Sequence, residues 1–120
     1  MGVIYMIENI HTGEKYIGQT TIAKPIKRYR SHLSASRSNR LKNRLYEDMR
    51  QLGEDSFVFS VIETCLDMDL NKRENYWIDH YNSIANGYNQ IPGSGVKYYT
   101  EESNDYDTYM KRAMKGEYSQ

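Results

Sequence analysis

Five residues of this chain have types and spacings that could do chemistry: Tyr5, Tyr16, Arg28, His32 and Glu74. The tyrosines close and open two triplets, Val3-Ile4-Tyr5 and Tyr16-Ile17-Gly18, on either side of the turn-forming run His11-Thr12-Gly13-Glu14. A phenol ordinarily titrates near about pH 10, and a neighbouring cation or metal would lower that and make a phenolate a proton acceptor. With twelve tyrosines in the chain, packing residues with wet hydroxyls would give the same pattern. Arg28 and His32 stand one helical turn apart, on one helix face. Arginine offers a planar fork to phosphate oxygens, and His32 could orient a water, hold a phosphate or cap a helix end.

Glu74 is the sharpest signal. Leu70, Glu74, Trp77, Ile78 and Tyr81 follow the spacing of a core-facing helical stripe. A carboxylate there loses water and must find a cation, a donor or a metal, or take up a proton. A buried pair with an Arg or Tyr would satisfy it. So would Mg²⁺, which prefers oxygen ligands, keeps several waters and needs few protein carboxylates beside a substrate phosphate.

Hairpin strands over residues 2–8 and 14–18 must position the phenols, with Gly13 serving the turn. By strand parity Val3, Tyr5 and Ile7 share a face. Pro25 suits the first turn of a helix over about 25–36, with Arg28, His32 and Ala35 on one side and Ile26, Tyr29 and Leu33 on another. Residues 34–39 are serine-rich and loop-like. A second helix over about 40–51 carries Leu41, Leu45, Met49 and Leu52 at core spacing, and Gly53 fits its C-terminal cap. Residues 57–62 read as a strand, residues 68–82 as a third helix with Asp67 or Asp69 as N-cap, and Asn86-Gly87 as a turn. A short extended segment at Tyr88–Ile91, a break at Pro92–Gly95 and a terminal helix over 101–113 complete the reading.

Composition narrows the function classes. Equal numbers of basic and acidic residues, 16 each, hide an asymmetry. Lys27, Arg28, Arg30, Arg37, Arg40, Lys42 and Arg44 crowd one half, whereas Glu101, Glu102, Asp105 and Asp107 lie near the end. A polyanion partner for the basic half, or an ordinary solvated helix face, fits that distribution. A single cysteine, Cys65, excludes an intrachain disulfide and a cysteine zinc cage, and reads as a core residue. The histidines lack zinc spacing, and Pro92-Gly93-Ser94-Gly95 has neither the lysine nor the following helix of a phosphate loop. No apolar run spans a membrane and no secretory signal opens the chain, so a cytoplasmic setting is expected.

Together these residues resemble the GIY-YIG nuclease family. Val3-Ile4-Tyr5 stands where the family has Gly-Ile-Tyr, with the glycine one residue early at Gly2. Tyr16-Ile17-Gly18 matches the second motif as written, and the run at 27–32 looks like the catalytic-arginine helix. Residues 73–78 and 86–89 are similar to the glutamate segment and closing asparagine of phage and intron homing endonucleases. The resemblance covers about residues 2–91, leaving 1–95 as the nuclease domain and 96–120 as an acidic tail.

The resemblance implies an α+β fold, a three-stranded antiparallel sheet flanked by helices. It implies hydrolysis of double-stranded DNA to a 5′-phosphate and a 3′-hydroxyl, with Mg²⁺, or Mn²⁺ in its place, held by Glu74. Arg28 would stabilise the charged phosphate and Tyr5 would be the general base. Tyr16 and His32 would assist it, and Asn89 would brace the site. Lys27, Arg30, Arg37, Arg40, Lys42 and Arg44 are the expected DNA contacts. Either target selectivity is low, or a second copy of the chain or an additional DNA-binding partner or domain supplies it; the resemblance also implies a bacterial or phage-infected setting. A restriction- or repair-type enzyme of the family, or a module that binds nucleic acid without cutting it, are the alternatives.

Overall fold

The computed structural model describes residues 1–38 and 43–90. Three strands form one antiparallel sheet: β1 (Gly2–Asn9), β2 (Lys15–Thr20) and β3 (Phe57–Cys65), in the order β2-β1-β3. Gly13, at φ 80°, and the buried Asn9 close the first hairpin. Asn9 Oδ1 accepts from the backbone N–H groups of His11 and Thr12 at 2.9 and 3.3 Å.

The central strand explains its own weak alternation. β1 is covered on both sides, so both its odd and its even residues are apolar. Tyr5 and Ile7 belong to a core with Leu45, Tyr46, Met49 and Phe57. Ile4 belongs to a second core with Ile17, Leu70 and Ile78. The shared face expected for Tyr5 and Ile7 is present, and an irregularity between Ile4 and Tyr5 shifts the register against β3.

Helix α1 (Ile26–Ser38) follows Pro25, whose carbonyl accepts from Arg28 N–H at 2.8 Å. It runs straight through residues 34–38, where a loop was expected. Ser36 and Ser38 bond back to the carbonyls of Leu33 and Ala35 at 2.7 and 2.9 Å, so the serines are satisfied inside the helix. Helix α2 (Arg44–Leu52) starts later than residue 40, because Asn43 is extended and caps it, accepting from Tyr46 N–H. Gly53 closes it from φ 93°, as its position predicts. Leu52 is 47% exposed and not a core residue.

Helix α3 (Leu70–Tyr81) follows a 3-10 turn at Asp67–Asp69 and ends at the left-handed Asn82. Leu70, Glu74 and Ile78 are buried, as the stripe predicts. Asp69 stands at the N-cap but makes no capping bond. Expectations for Leu41 and for residues 91–120, including the break after Ile91 and the helix over 101–113, lie outside the described residues. No helix among the described residues is long and apolar enough to cross a membrane.

Candidate active site

The site forms where the edge strand β2 meets both helical layers. Tyr5 pairs directly with Gly18 across β1 and β2. Its ring leans over that glycine: a Cβ at position 18 would lie 2.4 Å from both Cζ and Oη. The bare position lets the phenol reach toward the sheet edge. There Tyr5 Oη lies 2.7 Å from His32 Nε2, and His32 Nδ1 lies 2.8 Å from Tyr46 Oη. The Tyr16 ring packs on both, with centroids 6.3 Å from Tyr5 and 5.4 Å from His32. Arg28, half-buried one turn before His32, acts electrostatically on Tyr5, Tyr16, His32 and Tyr46.

Glu74 approaches the same place from α3. It is 9% exposed and faces a cleft of about 200 Å³, which Tyr16, His32, Tyr46, Tyr88 and Asn89 also line. Among the described residues, no arginine or tyrosine of the kind that would satisfy a structural glutamate is its hydrogen-bond partner. Gln19 Nε2 donates to Glu74 Oε1 at 2.7 Å and to Asn71 Oδ1 at 2.8 Å. Arg73, next in sequence, turns to Glu63 instead, at 2.8 and 2.9 Å.

Burial sets the proton affinities. It pushes Glu74 up to about 7, and the Gln19 bond offsets this only in part. Burial, then the Arg28 charge, lowers His32 to about 4, so the imidazole is neutral at pH 7. Burial outweighs the Arg28 cation, which does pull the Tyr5 phenol down, as expected of a neighbouring charge. Burial, helped by Tyr16, holds it well above the ordinary range against the opposing pull of Arg28. Tyr16 is raised for the same first reason, with the Glu74 charge adding to it. In this state both residues are phenols, not phenolates.

Asn89 braces the edge. Its side chain accepts from Ile17 N–H at 2.8 Å and donates to Ile17 C=O at 2.9 Å, as a neighbouring strand would. Ser83 Oγ donates to the same Oδ1 at 2.7 Å. Gly87 is needed beside it, because a Cβ there would lie 2.4 Å from Lys15 O.

The expected DNA contacts separate into three groups. Lys27 and Arg30 are exposed on α1, without an ion-pair partner among the described residues. Arg37 is held in a fork by Glu54 at 2.7 and 2.8 Å. Arg44 bonds Glu14, lies 3.6 Å from Asp48 and sits 4.7 Å over the Tyr88 ring. Arg40 and Lys42 lie outside the described residues.

Sequence reasoning missed Tyr46, Gln19 and Tyr88. Gln19 had a signal, since strand parity turns it away from Gly18. Tyr46 had none, being fourteen positions from His32 on another helix. Tyr88 Oη donates to Asp48 at 2.7 Å and accepts from Asn9 Nδ2 at 3.0 Å, and burial first among several causes pushes it up to about 12.

A small α+β domain with its polar cleft at the edge of a three-stranded antiparallel sheet is the architecture this chain shares with two solved endonuclease catalytic domains. The GIY-YIG catalytic domain matches residues 1–89, and the chain belongs to that family. Two solved structures are similar. One is a mutant catalytic domain of intron endonuclease I-TevI, 29% identical over 74% of this chain and 93% of that one, with a TM-score of 0.65. The other is the catalytic domain of homing endonuclease I-TevI, 26% identical over 74% of this chain and 97% of that one, with a TM-score of 0.66. No curated protein matches the chain significantly.

A divalent metal, which the family implies, is compatible with the donors. Among the described residues no group of three or more His, Cys, Asp or Glu side chains could hold one. Glu74 is a hard oxygen donor facing the cleft. A single carboxylate completed by water and phosphate suits a hard divalent cation.

Proposed function

We propose that this endonuclease is a metal-dependent, homing-type enzyme that hydrolyses double-stranded DNA to a 5′-phosphate and a 3′-hydroxyl. The observation that carries the reading is the 2.7 Å approach of Tyr5 Oη to His32 Nε2, beside Arg28 and a buried carboxylate. A phenol held in its neutral form is a poor base alone. Coupled to a neutral imidazole, it can take a proton on its oxygen while passing its own to the ring nitrogen.

Arg28 offers its fork to the non-bridging oxygens and stabilises the charge that grows on them. Tyr5 receives the proton of the attacking water, and the Tyr5 proton moves to His32 Nε2. Tyr16 fixes the Tyr5 and His32 rings. The departing 3′-oxygen takes its proton from solvent. Glu74 would hold Mg²⁺, or Mn²⁺ in its place, and a bound ion supplies polarisation of the phosphate and the leaving oxygen. Lys27 and Arg30 supply backbone contacts without base selectivity, so target choice rests on a further DNA-binding element or a second copy.

The test is nicking of supercoiled plasmid in Mg²⁺. Glu74→Gln and Arg28→Ala should keep the fold and lose activity by orders of magnitude, and full activity in both would reject the reading. DNA binding without products in either metal would leave the non-cleaving module as the better account.

A further inference from the structure

We propose that Tyr46 is a positioning residue that selects the ring tautomer of His32, a role that rests on the cleavage reading above. A neutral imidazole has one N–H and one lone pair. Here each ring nitrogen meets a phenol, Tyr5 at Nε2 and Tyr46 at Nδ1. His32 is 3% exposed, so these bonds govern where its proton sits.

Only one arrangement serves proton transfer. With the hydrogen on Nε2, the ring donates to Tyr5 and has no lone pair to receive the Tyr5 proton. With the hydrogen on Nδ1, the ring donates to Tyr46 Oη, and Nε2 accepts from Tyr5.

The surroundings favour the second arrangement. Arg28 acts electrostatically on the Tyr5 phenol and can only donate. That turns a Tyr5 lone pair to Arg28 and the Tyr5 proton to an acceptor. Tyr16 is the competing acceptor, but an imidazole nitrogen is far more basic than a phenol oxygen. Tyr46 lines the cleft, so its own O–H can point into the cleft while its oxygen accepts from Nδ1.

The geometry is fixed from both ends. Asn43 Oδ1 holds the Tyr46 backbone N–H at 2.8 Å. Arg50, on the same helix, donates to Ser36 C=O of α1 at 2.8 Å, tying the helix of Tyr46 to the helix of His32. A carboxylate at Nδ1 would also fix the tautomer, but it would charge the ring and fill the lone pair. A phenol orients the ring and leaves it neutral.

The experiment reads the ring nitrogens by ¹⁵N NMR in the full chain without added metal, then compares Tyr46→Phe. In the native chain His32 should show protonated Nδ1 and bare Nε2. Tyr46→Phe should move proton occupancy toward Nε2 and lower kcat on plasmid about 10–100-fold, with KM for DNA unchanged. A native ring protonated at Nε2 overturns the proposal without any variant. So does a Tyr46→Phe protein with native kcat and an unmoved tautomer. A native chain that never cuts DNA would overturn the function reading, while the ring nitrogens still decide this one.

Discussion

Tyr5 and Gly18 face each other across two strands, and the tip of the phenol occupies the space that a side chain on Gly18 would need. The glycine of the second triplet is therefore a spatial requirement set by the tyrosine of the first. Gly18→Ala should displace the ring from His32 and cut cleavage by about 10²-fold. Overpacking should also cost about 1–3 kcal/mol. Plasmid nicking and urea denaturation measure the two effects separately. Native activity in Gly18→Ala would show that the ring has room elsewhere.

Glu74 and His32 make opposing contributions to stability as pH changes. Glu74 rises from 4.5 to about 7 on folding, so the folded chain binds the extra proton, and stability falls as pH climbs through that window. His32 drops from 6.5 to about 4, so the unfolded chain binds the extra proton, and stability grows between those values. Between pH 4.5 and 6.5 the two slopes largely cancel. Glu74→Gln should expose a rising curve there and His32→Gln a falling one, each by about 2 kcal/mol. Denaturant midpoints at pH 4.5, 5.5 and 6.5 check the signs, and parallel curves for both variants would refute the assignment.

Asn89→Ala should loosen β2 without touching the phenols. Losing the paired bonds to Ile17 and the Ser83 contact should cost about 1–3 kcal/mol. Faster hydrogen exchange of the Ile17 amide is the local signature. Unchanged exchange would mean that the edge holds itself.

The cations should divide by their partners. Replacing Lys27 and Arg30 together with glutamine should flatten the dependence of log K on log salt by about 1.8, two phosphates' worth. Arg37→Gln should leave that slope alone, because Glu54 already occupies the guanidinium. Titrations at several salt concentrations distinguish them.

Much of this was legible because it was local. The hairpin announced itself through Gly13 and β-branched flanks, and Glu74 through a stripe where a leucine would be ordinary. The serine run at 34–38 misled because its hydroxyls bond within the helix, which composition does not reveal. The Tyr5 phenol misled because the sequence shows the cation nearby and not how completely the ring is enclosed. Tyr46 was invisible, since its contact with His32 exists only once two helices pack. Arg37 looked free because Glu54 reaches it from beyond the intervening helix.

Ile17 has both backbone groups taken by one asparagine side chain, so the outer margin of the sheet is sealed by an amide standing in for a fourth strand. A transplantable cutting cassette must therefore run through residue 89. Truncated a few positions sooner, it would leave an unzipped ribbon beside Tyr5 and Tyr16, open to pairing with another molecule's backbone. Engineers fusing this domain to a new targeting module should place the joint after that asparagine, never within the turn before it.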